Sequence, residues 1–190
     1  DYLLGRAYLC SGDFQKSAHH LKKAWVHGPN LRPLVRAAAR DGARTVVAAY
    51  KKRDGLSFGE LKACYQFHAF GTREWYSPEA SRALRDYGNK LAAAGSDSRI
   101  PGVVKVMVRI GAPATETFSL AAGALIRLGE LAQLKSLVAA QIDEFPVPHE
   151  ILAQTAQVAE AAFRHEAAAW LYAQSIEKGS QDEQRYLNLA

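Results

Sequence analysis

Apolar residues recur along the chain at intervals of three and four, over stretches of helix length. The stretches are broken by glycine, proline, aspartate or asparagine: at Gly12 and Asp13, Gly28 to Asn30, Asp41 and Gly42, Gly55, Gly95, Gly111 to Pro113, Gly129, Pro146 and Pro148, and Gly179. Each break is a stop or turn signal, and the i, i+3, i+4 period between breaks is that of an amphipathic helix. Strict alternation, the mark of a half-buried strand, appears only briefly at 103–107. Ala, Leu, Glu, Lys, Gln and Arg fill the remainder, residues that lose little side-chain entropy in a helix. The pattern predicts an all-α chain of short antiparallel helix pairs. Its expected pairs are 1–31, a shortened hairpin of 31–41 with 44–53, a pair over 57–94 with a long aromatic connector, and 100–110 with 115–128.

Self-similarity at a fixed period sharpens that expectation, because helical-repeat arrays reveal themselves at spacings of 20–50 residues. The opening carries Leu4, Gly5, Tyr8, Gly12, Phe14, Ser17, Ala18, Leu21, Ala24 and Pro29. A shift of 117 places Ala121, Ala122, Leu125, Gly129, Leu131, Leu134, Lys135, Val138, Gln141 and Pro146 in register. A shift of 151, which is 34 more, places Thr155, Ala156, Ala159, Phe163, His165, Ala168, Ala169, Tyr172, Ser175 and Ser180 there. These residues, and Leu4, Gly5, Tyr8, Ala24 and Pro29 above all, resemble the tetratricopeptide repeat, a helix-turn-helix unit of 34 residues. The match covers 1–31 well, 118–180 moderately and the middle weakly. Ser17, Gln141 and His165 depart from the expected small or apolar residues. The resemblance implies an α-solenoid of helix hairpins wound as a right-handed superhelix. On that reading residues 1–190 form a single helical-repeat domain, with a clear repeat at 1–31, degenerate hairpins over 31–116 and further repeats over 118–190. The chain starts at Asp1 and stops at Ala190 in mid-repeat, with a truncated last helix, so the expectation is an excerpt of a longer, bacterial-looking array. A C-terminal capping helix is the alternative.

Candidate chemistry is sparse. No Walker or dinucleotide-binding glycine pattern occurs, nor a Gly-x-Ser-x-Gly turn. His149 and Glu150 lack the second histidine of a zinc helix, and Glu150 suits the first turn of a helix through its dipole. His19 and His20 point to different faces. Cys10 and Cys64, in apolar helices, read as small core residues and lean weakly toward a reducing compartment. The expectation is therefore no enzyme, no metal and no cofactor, in an unassigned compartment. No apolar run reaches the ~18 residues of a membrane span.

Charge changes the picture. The formal net charge of +5 hides an excess of ten positive charges over residues 1–110 and of five negative ones over 111–190. In tetratricopeptide arrays the first helices line an inner groove, so the resemblance places Tyr2, Arg6, Leu9 and Cys10 there. Arg32, Arg36 and Arg40 follow at i, i+4, i+8 on one face, with Lys62 and Gln66, then Lys105 and Arg109, at similar spacing. Tyr2 and Arg6 replace the Lys and Asn of the carboxylate-clamp variant, which argues against chaperone-tail binding. A second candidate surface is the aromatic patch of Tyr65, Phe67, Phe70, Trp75 and Tyr76 with Arg73. Most of it reads as core, with Trp75 and Tyr76 as the exposed pair. The leading expectation is a protein–protein interaction scaffold, in a setting such as bacterial secretion or exopolysaccharide export, with a partner carrying an acidic segment. Binding of single-stranded RNA through the basic half, and of a charged polysaccharide, are the alternatives. Opposite charge along one chain also leaves self-association open.

Overall fold

The computed structural model describes residues 1–53, 55–71, 77–144 and 147–179. Every regular element among them is helical, and they contain no strand. In chain order these are α1 (Tyr2–Cys10), α2 (Phe14–His27), α3 (Arg32–Arg53), α4 (Phe58–Gly71), α5 (Pro78–Ala93), α6 (Ile100–Arg109), α7 (Ala114–Leu128), α8 (Leu131–Glu144), α9 (His149–Ala161) and α10 (His165–Glu177), with single 3-10 turns at Pro29–Leu31 and Asp97–Arg99. They fall into two compact units, one of Asp1–Ala93 with Lys105–Ala112 and one of Ala94–Val104 with Pro113–Ala190.

In the first unit α1 lies against α2, and close approach depends on Gly5. A methyl at Gly5 would stand 2.8 Å from the Leu21 side chain. The buried Ser17 hydroxyl donates to the Gly5 carbonyl at 2.8 Å, which satisfies a polar group that no water reaches. Asp13 caps α2 by accepting from the Lys16 amide.

The turn expected at Asp41 and Gly42 does not form. α3 runs unbroken for 22 residues. Val35, Ala38, Ala39, Gly42, Ala43, Val46, Val47 and Tyr50 are all buried, a helical stripe that passes straight through the supposed break. Asp41 is simply exposed, 3.8 Å from Arg6. Gly42 is inside because a Cβ there would meet the Phe67 ring of α4 at 2.8 Å. Here glycine marks close helix packing rather than a stop. The consequence is a change of partner: α3 packs chiefly on α4, α4 also on α2 and α5, and α3 also on α5. Ser57 and Glu60 form a capping box at the start of α4. The Ser57 hydroxyl accepts from the Glu60 amide at 3.3 Å, and Glu60 accepts from the Ser57 amide at 3.0 Å.

In the second unit α7 with α8 and α9 with α10 form consecutive hairpins around Phe118, Ile126, Leu134, Val138, Leu152, Leu171 and Tyr172, all buried. Asp97 in its 3-10 turn accepts from Arg127 Nε at 2.7 Å and ties that turn to α7.

Three hairpins turn alike. The residue in the left-handed region is Gly12 (φ 77), Gly129 (φ 77) and Phe163 (φ 56). The amide that follows bonds back five residues in each: Asp13 to Tyr8 at 3.0 Å, Glu130 to Leu125 at 2.9 Å, Arg164 to Ala159 at 2.8 Å. These are the registers found by shifting the sequence by 117 and 151; the same turn also ends α6 outside them, with Gly111 (φ 75) followed by an Ala112 amide bonded to Met107 at 3.0 Å. A small and a large residue recur at these positions too, Gly5 and Leu21, Ala122 and Val138, Ala156 and Tyr172, all buried.

Candidate functional site

The most distinctive side-chain arrangement in the first unit centres on Trp25, a half-buried residue in the last turn of α2. After His27 the helix stops, Gly28 and the turn Pro29–Leu31 reverse the chain, and α3 begins at Arg32. That reversal carries Arg32 and Arg36, one helical turn apart, back over the indole. Their guanidinium carbons stand 5.4 and 5.5 Å from the ring centroid. Arg32 Nε also donates to the Trp25 carbonyl at 3.5 Å, a long bond. Phe70, from the end of α4, packs on the same ring at 5.7 Å. A tryptophan face is the best aromatic partner for a cation, so its quadrupole offsets part of the repulsion between two arginines four apart. Both arginines stay exposed, and among the described residues no ion pair involves Arg32, Arg36 or Arg40. Each planar fork therefore keeps donors for a carboxylate or phosphate.

The other expected residues distribute around this centre. Arg40 is exposed one turn further along α3. Arg6 of α1 reaches Asp41 at 3.8 Å, both half exposed, a contact worth little in water. Tyr2 and Leu9 are half-buried on α1. Cys10 is exposed, so it is not the core residue its helix context suggested, whereas Cys64 is fully buried and burial pushes its thiol up to about 12. Arg109 of α6 is exposed and donates from Nη1 to the Ala69 carbonyl at 3.5 Å, beside Phe70 at the C-terminal end of α4, where a cation complements the helix dipole. Lys105 is exposed one turn earlier on α6, and Lys62 is half-buried on α4. Because α3 is one helix, α4 is its hairpin partner, and Lys62 does not follow Arg36 along a line of first helices.

The aromatic patch divides in three. Phe67 is core, Tyr65 packs at a tilt on buried Tyr87 at 5.4 Å, and Phe70 joins Trp25. Trp75, Tyr76 and Arg73 lie outside the described residues, as does the final segment 180–190. Sequence reasoning missed Trp25, although a tryptophan seven residues before Arg32 across a Gly-Pro reversal was the available signal.

Among the described residues no three His, Cys, Asp or Glu stand close enough to hold a metal ion. His149 and Glu150 are a surface pair at 3.3 Å. No described helix is long and apolar enough to cross a membrane. Comparison of the chain with protein-family models and with curated proteins returns no match, so the functional reading rests on this geometry.

Proposed function

We propose that the chain is a non-catalytic interaction scaffold of tetratricopeptide type, its hairpins wound as a right-handed α-solenoid, that docks an acidic segment of a protein partner. The repeat part of this reading is supported by the three equivalent turns and by the 34-residue step between the starts of α8 and α10. The docking part rests on one observation: Trp25 holds two exposed guanidiniums against its ring, with no carboxylate paired to either among the described residues. Immobilised forks lose less side-chain entropy on binding, and aromatic residues with arginines are the usual anchors of interfaces. Val26 and Leu31, the exposed chain neighbours of Trp25 and Arg32, offer apolar contact.

The test is a titration of a fluorescent acidic peptide, rich in Glu with one leucine or phenylalanine, against the protein. Arg32→Ala with Arg36→Ala should weaken binding by about tenfold or more, since a charge-assisted hydrogen bond contributes ~1.5–3 kcal/mol. Single-stranded RNA of matched charge is the competitor. RNA binding tighter than the peptide, with the steep salt dependence of phosphate contacts, would replace the protein reading with the nucleic-acid one. Peptide affinity untouched by the double substitution would remove this surface.

A further inference from the structure

The second unit carries an exposed surface of opposite character at the turns of its two hairpins. Phe163 is 82% exposed, the most exposed of the large apolar side chains among the described residues. It also occupies the left-handed region (φ 56) where the equivalent turns use Gly12 and Gly129. A bulky residue there is strained, and Phe163 gains almost no burial in return. A dent of about 260 Å³ opens beside it, floored by Leu125, Ile126, Leu131, Leu134 and Ala167. Leu128, 43% exposed, ends the helix beside that dent. Two exposed carboxylates, Glu130 and Glu166, edge this apolar centre against one cation, Arg164, which lines the dent and donates to the Arg127 carbonyl at 3.3 Å; Arg127 is paired with Asp97. By composition the first unit has ten more positive than negative residues, and the second unit five more negative than positive.

We infer that this surface binds a second copy of the chain: the Phe163 turn and its dent, with Glu130 and Glu166 beside it, take the exposed Val26 and Leu31 together with the arginines Arg32 and Arg36. This rests on the docking reading of the arginine cluster and names its acidic partner. Each surface combines exposed apolar side chains with charged ones, as interface anchors do, and the charge that predominates on each is of opposite sign. The contact joins different surfaces of two molecules, so it is heterologous. The same logic explains why a phenylalanine stands at a glycine position: strain tolerated at a turn is repaid only when the ring is covered by another molecule.

Light scattering coupled to gel filtration measures the result directly. The mass should rise above 20.8 kDa with protein concentration and fall back as salt screens the charged edges. Phe163→Gly should weaken association about tenfold or more while raising Tm by about 2 °C, because it relieves a left-handed residue that packs on little. A merely structural phenylalanine would lower Tm instead. Arg32→Glu with Arg36→Glu should abolish self-association, as should Glu130→Arg with Glu166→Arg, and either mixing the two variants or placing both reversals in one chain should restore it, because each edge then meets one of opposite sign. A mass of 20.8 kDa at every concentration, or association indifferent to Phe163→Gly and to the reversals, overturns the inference. The acidic-peptide titration is independent of it: a monomer that still loses peptide binding with Arg32 and Arg36 keeps the docking reading and loses only the second copy.

Discussion

Gly42 decides more of this structure than any charged residue. A Cβ there would meet Phe67 Cζ at 2.8 Å, and Phe67 is fully buried with its ring held by the core. Two effects oppose each other in Gly42→Ala. Helix propensity favours alanine by about 1 kcal/mol, and overpacking costs about 1–3 kcal/mol. Since the ring cannot swing away, overpacking wins, and a net loss of about 1 kcal/mol should lower Tm by about 2–4 °C. Phe67→Leu should recover part of that loss in a double-mutant cycle followed by thermal unfolding. Gly59 is the control. Its Cβ would meet only the far end of the exposed Gln15 side chain, which can move, so Gly59→Ala should leave Tm unchanged or raise it. If both substitutions behave alike, packing on Phe67 is not why α3 carries a glycine. From the sequence Gly42 reads as a turn because Asp-Gly is a turn signal; only the neighbouring helix distinguishes the two uses.

At the scale of the element, the chain sets helix starts and stops by short-range polar chemistry. The capping box at Ser57 and Glu60 is one instance, and Glu60 also pairs with Arg53 at the end of α3. Burial pushes the Glu60 carboxyl up, but the Arg53 guanidinium and the Ser57 hydroxyl and amide together outweigh it and hold the group below the usual carboxylate range. A depressed carboxylate stabilises the fold at neutral pH, and the contribution disappears as pH falls through its folded value. Ser57→Ala should cost about 1 kcal/mol, read as a lower urea midpoint with unchanged slope and as faster exchange at the Glu60 amide. An unchanged exchange rate would mean the cap does not hold α4. The three hairpin turns show the same local determinism: a left-handed residue and a five-residue backbone bond recur in the register that the sequence shifts by 117 and 151 predict.

At the scale of the molecule, pH acts through a residue that the functional reading does not use. His68 on α4 is 1% exposed, and burial holds its imidazole down at about 4. Unfolded, it titrates near 6.5. Between these values the unfolded chain binds a proton that the folded chain refuses, so stability falls as pH falls through that window and is complete above it. The size is about 2–3 kcal/mol between pH 7 and pH 4.5. His68→Leu should flatten the pH dependence of the urea midpoint in that window. A slope unchanged by the substitution would assign acid sensitivity to other groups.

Read alone, the sequence determined that the described chain is helical, where most helices begin and end, and the register of the three alike hairpins. These follow from hydrophobic period, turn residues and caps, all of which act within a few residues of one another. It also determined the division of charge, since that is composition. Tertiary structure decided that 31–53 is one helix and not a hairpin, and hence which helix partners α4. It decided that Cys10 is exposed while Cys64 is buried. It also brought Trp25 under Arg32 and Arg36 and left Phe163 in the open. Each of these depends on what another helix presents at a distance of a few ångströms, and the local order of residues carries that only in part, as in the Gly-Pro reversal between Trp25 and Arg32.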